Sequence, residues 1–396
     1  MSFPAFQPRG SAFPARRRRP LVLARLVTAW LTVAGLFRLR AENHIDYKFE
    51  YYREEGDRTQ VSTQTVLTEA ELAEWLRARA DFVYDSISGA TPTGAPPPTG
   101  STEVPTKDLY DIRRAGRVEL DFISDRHTLT PSLAYSTEHD YESVTPGLHY
   151  SMDLNRRNTT LLAGVSHNFD RVGGDFLGTG WRHKDSTDFV LGITQVLSPT
   201  TLVSANLTLG TADGYLSDPY KGVRFDGYPD PDTLFADRRP GHRTKQVAQV
   251  TLTQFVEALN GSAETDYRFY HDSFGIFSHT ATLTWLQNVG RHLVIAPLVR
   301  FYEQTGASFY APRFAGDPSF PAAFPDVVIP QFYSADYRLS ALHTWTWGVS
   351  ATARLTGWLS LDLAYKRYEM FGDDNATAAS NFPKANIYTL GIRAWF

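Results

Sequence analysis

The feature that most limits what this chain can fold into is a strict alternation of apolar and polar side chains, repeated from about residue 45 to the C-terminus. In Ile45-Asp-Tyr-Lys-Phe-Glu-Tyr51 the odd positions are apolar and the even positions charged. Successive side chains of a strand point to opposite faces, so such a segment has one oily side and one polar side. The pattern returns at 76–84, 118–122, 129–135, 148–152, 161–169, 189–193, 203–209, 248–256, 265–269, 281–285, 293–301, 345–355, 359–365 and 388–396. A weaker strand at 61–67 brings the count to sixteen.

Roughly ten tilted strand residues cross a membrane, and a strand with one apolar and one polar face suits a wall between lipid and a wet lumen. Aromatic residues make up 13% of the chain, yet mean hydropathy is −0.30, and no long apolar run follows the N-terminus. A bundle of membrane helices is thereby excluded. A soluble β-sandwich also alternates, but it gives no reason for connections that are short and long by turns. Here 68–75, 124–127, 153–158, 197–200, 257–262, 288–292 and 356–358 are short, whereas 86–115, 170–186, 210–243, 303–335 and 370–385 hold most of the Pro, Gly and Asp. The expected fold is all-β: a transmembrane antiparallel barrel of about sixteen strands with periplasmic termini, short periplasmic turns and long extracellular loops. Aromatic residues near strand ends (Tyr51, Tyr84, Tyr135, Phe169, Trp285, Phe301, Tyr365) fit interfacial girdles.

The first 41 residues differ from the rest. Arg16–Arg19 precede an apolar segment from Leu26 to Phe37 and a small residue, Ala41, which reads as a signal peptide over 1–41 and a barrel domain over 42–396. The apolar run is short for a membrane anchor, and the general secretory route suits a barrel that must cross unfolded. Residues 1–41 hold eight of the 39 basic side chains and none of the 43 acidic ones, so the remainder is strongly acidic and nucleic acid is a poor partner. With no cysteine in the chain, disulfides, thiolate metal sites and thiol nucleophiles are absent, and no cofactor is expected.

The chain ends Asn386-Ile-Tyr-Thr-Leu-Gly-Ile-Arg-Ala-Trp-Phe396, with Tyr388, Leu390, Ile392 and Phe396 on one face. That ending resembles the terminal strand by which the barrel-assembly machinery recognises its clients, and it makes Phe396 the candidate assembly signal. Further segments carry a family resemblance: Ser88-Gly-Ala-Thr-Pro-Thr-Gly-Ala-Pro-Pro97, Asp111-Ile-Arg-Arg-Ala-Gly116, His167-Asn-Phe-Asp170, Ser217-Asp-Pro-Tyr-Lys221, Asp336-Tyr-Arg-Leu-Ser340 and Tyr365-Lys-Arg-Tyr-Glu-Met370. Together they resemble a family of bacterial outer-membrane proteins known as domain of unknown function 3570. The resemblance implies a barrel in the bacterial outer membrane, and it transfers no catalytic residue. Genes for such proteins commonly neighbour a flavin-attaching transferase and a thioredoxin-like protein, which implies envelope redox biology.

Candidate chemistry falls on the polar faces and in the loops. Lys48, Glu50, Arg77, Arg79, Asp81, Arg300, Arg354 and Asp362 are expected to face the lumen, with Asp46, Glu119, Asp121 and Lys366 beside them. They would form either a mixed-charge pore for small polar solutes or a set of salt bridges bracing the wall. In the loops, Arg113 and Arg114 are candidates for lipopolysaccharide phosphate or for a rim salt bridge. Asp213, Asp218, Asp226, Asp230, Asp232 and Asp237, near Lys221, could offer oxygen ligands to calcium, although their spacing matches no EF-hand loop. Ser166, His167 and Asn168 are adjacent, but strand neighbours face opposite ways and cannot build a triad, so enzymatic activity is not expected. The function that follows is a porin-like passive channel. The alternative is a structural sleeve for an envelope lipoprotein or redox carrier.

Overall fold

The computed structural model describes residues 43–173, 180–230 and 232–396. The expected signal peptide, 1–41, lies outside the described residues. Among these residues the chain forms β1 (His44–Glu54), β2 (Gln60–Ala73), β3 (Leu76–Pro92), β4 (Thr106–Ser124), β5 (His127–Thr137), β6 (Tyr141–Leu154), β7 (Thr159–Val172), β8 (Arg182–Ser198) and β9 (Thr201–Gly214). A two-residue pair follows, β10 (Gly222–Val223) and β11 (Phe235–Ala236). Then come β12 (His242–Val256), β13 (Gly261–Asp272), β14 (Phe277–Val289), β15 (Leu293–Gln304), β16 (Leu342–Arg354), β17 (Leu359–Gly372) and β18 (Lys384–Trp395). All but β10 and β11 make one closed antiparallel barrel of sixteen strands. Closure runs from His44 opposite Trp395 to Glu54 opposite Ala385, so neither terminal strand is left as an open edge.

The register separates the two walls. Phe82, Val118, Leu133, Phe189, Leu191, Val250, Leu283, Trp347 and Leu363 are exposed and point outward. So much uncovered apolar surface would be a liability in water and is what a lipid-facing wall requires. Their strand neighbours, from Asp46 on β1 to Arg393 on β18, point inward and are polar.

The two ends of the barrel are unlike. At one end the connections are two to four residues long, and both chain ends of the sheet lie there. Asp125 and Asn260 sit in these turns with positive φ, a conformation their short polar side chains tolerate. The other end carries 93–105, 215–241, 305–341 and 373–383. One expected connection is corrected here: 86–115 is not all loop, because β3 and β4 stay paired to Pro92 opposite Thr106. Gly89, at φ 112°, permits this, since a Cβ there would meet the carbonyl of Arg58 at 2.2 Å.

The apolar core lies largely outside the sheet, in these long connections. Val223, Phe225, Tyr333 and Ala335 form one cluster with Phe235, Phe314 and Ile329. Phe274, Ile276, Ala307 and Leu339 form a second, and Tyr337, Leu342 and Phe382 a third, the last packed on Tyr302 and Met370. The loops are therefore a folded cap, with its own apolar clusters, seated on the strand ends.

Candidate functional site: a charged inner wall under a folded cap

The inner wall is charged because one position in two of each strand must face it, and the sequence fills many of those positions with ions. They pair almost wherever they meet. Arg393 donates two bonds to Asp46, each of 2.6 Å, and Lys48 lies 3.4 Å from Glu50, which accepts a bond from Thr389. On β3 and β4, Arg79 reaches Glu119 (3.0 Å) and Asp121 (2.9 Å), while Arg117 reaches Asp81 (2.8 Å) and Glu119 (3.3 Å). Arg77 lies 3.7 Å from Glu69 of β2. Asp362 accepts the hydroxyl of Thr352, and Arg354 donates to the carbonyl of Gly357 and lies over the ring of Trp395. Arg300 stands on the same wall between Thr282 and Thr346.

Arg113 and Arg114 are strand residues with opposite directions. Arg113 points inward onto Asp85 at 3.1 Å, whereas Arg114 points outward, 5.9 Å from the centre of the Tyr84 ring. They do not form one phosphate fork. Phe396 follows β18 and donates its backbone N–H to the carbonyl of Asn43.

Two of the loop candidates, Lys221 and Asp218, are drawn into the cap. Lys221 is 3% exposed and donates to the Thr91 hydroxyl (3.2 Å) and to the carbonyl of Pro92. Burial pulls its ammonium down to about 8, against the pull of Asp336. Asp218 accepts from Arg338. Both belong to a buried network centred on Asp336, which is 1% exposed. Arg338 binds both Asp336 oxygens (2.9 and 2.6 Å), Arg239 binds Asp336 at 2.9 Å, and Arg239 also binds Asp237 at 2.6 Å. Burial alone would raise the Asp336 carboxyl, but the two guanidinium groups outweigh it and hold it below the usual carboxylate range.

Of the acidic residues expected as calcium ligands, three are directed to arginines, Asp218 and Asp237 as above and Asp226 to Arg313 at 2.9 Å, whereas Asp213 pairs with His242 at 2.6 Å and Asp230 accepts the Thr233 hydroxyl at 2.7 Å. They do not converge on one point. Cap and wall are joined where Gly222 N–H donates to the carbonyl of Thr93 at 2.7 Å. Gly94, at φ 93°, lies so close to Gly222 that a Cβ would sit 2.3 Å from its carbonyl oxygen.

Beside the cap the mouth holds a cavity of about 820 Å³ bounded by β6, β7, β8, β9 and β12. Its cations are all matched: Lys184 with Asp170 (2.9 Å), Lys245 with Asp188 (3.1 Å), Arg243 with Asp272 (2.9 Å), and Arg239 and Arg338 with Asp336. Glu138 and Asp140 also line it, and burial, together with the charge of Asp111, raises both carboxyls.

Sequence reasoning missed Arg239 and the roles of Asp237, Asp336 and Arg338. The segment Asp336–Ser340 stood out only as a family word. The single turn Tyr337–Leu339, opened by Asp336 accepting the Arg338 N–H, carries no period that a pattern search would find.

A closed sixteen-stranded sheet, apolar outside and charged inside, defines an outer-membrane-type β-barrel. The chain belongs to the family described as Protein of unknown function (DUF3570), whose model matches residues 22–179 and 174–388. No curated protein matches. Among solved structures, the chain is similar to a bacterial polysaccharide outer membrane secretin, at 8% identity over 91% of this chain and 100% of that one, with a TM-score of 0.49. It is also similar to a loop-deleted OmpT of Vibrio cholerae (8% identity, 90% and 98% covered, TM-score 0.44). The siderophore receptor PirA of Pseudomonas aeruginosa gives 10% identity and a TM-score of 0.43, and the match covers 90% of this chain and 62% of that receptor.

Proposed function

We propose that this chain is a passive, non-enzymatic channel of the bacterial outer membrane for small polar solutes, with the short-turn end in the periplasm and the cap outside. The observation that carries this reading is the cavity of about 820 Å³ beside the cap, bounded by five strands and lined by charged side chains of β8, β12 and the loops. Charged side chains lining a path would orient and screen polar solutes. Lipid and lipopolysaccharide would surround the outer wall, and the barrel-assembly machinery would insert it.

The test is conductance of the purified, folded protein in planar bilayers. Discrete steps are expected; a barrel that inserts and stays electrically silent overturns the channel. The apolar clusters of the cap favour a second reading, in which the capped barrel is a sleeve or docking platform for an envelope lipoprotein or redox carrier. A silent barrel that crosslinks to one stoichiometric envelope partner would support that reading.

A further inference from the structure

We propose that Arg268, Arg300 and Lys366 form an anion station on the inner wall of β13 to β17, built to hold a small oxyanion of the phosphate type. It deepens the channel reading, on which its use by a passing solute rests. On β3 and β4 the inward arginines Arg77, Arg79, Arg113 and Arg117 each meet a carboxylate. Among the described residues, Arg268, Arg300 and Lys366 take part in no ion pair and no side-chain hydrogen bond.

The ladders bring the three together. Arg268 opposes Thr280, and Thr280 opposes Tyr302; two residues on, Thr282 opposes Arg300. Arg300 opposes Thr346, and Gly348, two residues further along β16, opposes Lys366. Arg300 is thus separated from each of the others by two strand spacings and two residues of rise, about 12 Å at the backbone, a gap that long cationic side chains span. Tyr302 lies in the field of both arginines, and Tyr368 in that of Arg300. A Cβ on Gly348 would meet Lys366 Cγ at 2.8 Å, so the lysine stem lies over β16, on the side of Arg300.

The acids of these strands are engaged elsewhere. Asp266, the inward neighbour of Arg268, accepts the Gln249 amide (2.5 Å) and the Thr251 hydroxyl (2.9 Å) from β12. Asp272 takes Arg243, Asp362 takes Thr352, and the exposed Glu264 is four residues from Arg268. A second observation also calls for an acceptor. Thr280 is 2% exposed and its hydroxyl has no partner, and the covered Nε of Arg268, on the opposing rung, has none either. Buried polar atoms are nearly always bonded, and an oxyanion seated over this rung would accept from both groups while its other oxygens face Arg300 and Lys366. Three cations and a hydroxyl suit a phosphate, with up to two charges and acceptors in several directions, better than a planar, singly charged carboxylate.

The experiment is a titration of the folded, full-length protein in detergent with inorganic phosphate at low chloride, read by calorimetry, with heat-modifiability on gels confirming the barrel of every variant. One saturable site is expected, weakened at least tenfold in Arg268→Gln and in Arg300→Gln and unchanged in Arg126→Gln, which alters an exposed turn residue beside Asp125. Arg300 is exposed, so Arg300→Gln decides the matter if Arg268→Gln fails to fold. No saturable binding up to millimolar phosphate, binding that survives both substitutions, or acetate competing as well as phosphate overturns the station. Calorimetry needs no conductance: a silent barrel that binds phosphate would sink the channel and keep the station, and a conducting barrel that binds none would sink the station alone.

Discussion

The short-turn half and the capped half of this barrel are built from the same strands but held in different ways. Near the turns, ion pairs such as Asp46–Arg393 lie against a wet lumen, with side chains 22% and 43% exposed. Such pairs contribute little, about 0–1 kcal/mol, because water already solvates both partners. In the cap, Asp336 is nearly sealed from solvent and holds two arginines from separate segments. There the loss of one partner strands a charge away from water. The wall tolerates change because its ladder and lipid face carry the fold, and the cap depends on a few buried side chains.

The largest expected effect comes from breaking that contrast at its centre. Asp336→Asn removes the charge shared by Arg239 and Arg338, and the cap should loosen by about 3–5 kcal/mol. Asp46→Asn should change stability by no more than about 1 kcal/mol. Limited proteolysis within 215–241 and 305–341, with the barrel still heat-modifiable, measures the first; thermal unfolding in detergent measures the second. Equal sensitivity of the two variants would erase the distinction between the halves.

A smaller effect follows from Lys221. Its folded value of about 8 is depressed from 10.5, so between those values the opened cap binds more protons than the closed one. Closure should therefore become more favourable as pH rises from 8 toward 10.5, by at most about 3 kcal/mol. Below pH 8 the full penalty for the buried ammonium persists. Protection of 215–241 from protease should rise across that window, and Lys221→Met should flatten the dependence. A wild-type profile as flat as the variant's would show that Lys221 does not report on cap closure.

How far the sequence discloses this molecule also divides along the two halves. Alternation in segments such as 45–51 and 359–365 announces the strands, because a two-sided wall forces period two on any chain that builds it. Lys48, Arg79 and Asp362 could be assigned to the inner wall from that period alone. The cap has no such period. Phe225, Phe274 and Tyr337 lie in irregular segments where burial is decided by distant partners, as when Phe225 packs on Phe314 and Tyr333. Arg113 and Arg114 were misread as loop residues because Pro and Gly nearby suggested a break that the ladder spans.

A modest thermodynamic effect is expected at the chain end. Deleting Phe396 removes one ring from the outer wall, about 1–3 kcal/mol of burial in a barrel with sixteen strands. Folding in detergent should survive, whereas delivery to the outer membrane in cells should fall, as read by fractionation. Wild-type delivery of the truncated chain would remove Phe396 from the role of assembly signal.

The pairing of β1 with β18 also dictates a chronology. Its first rung joins the residue at position 44 to the residue at position 395, so the strand that shuts the cylinder is made after the other fifteen of the barrel. Contacts of such sequence separation form late, because the intervening chain must be ordered before they are rewarded. The cap inherits the delay: Arg58 donates to the carbonyl of Ser380 at 2.7 Å, and Glu55 N–H to that of Lys384 at 2.9 Å, so its seam bridges the same gap. A nascent or stalled chain therefore carries two raw sheet borders at once, each able to capture a strand from another molecule.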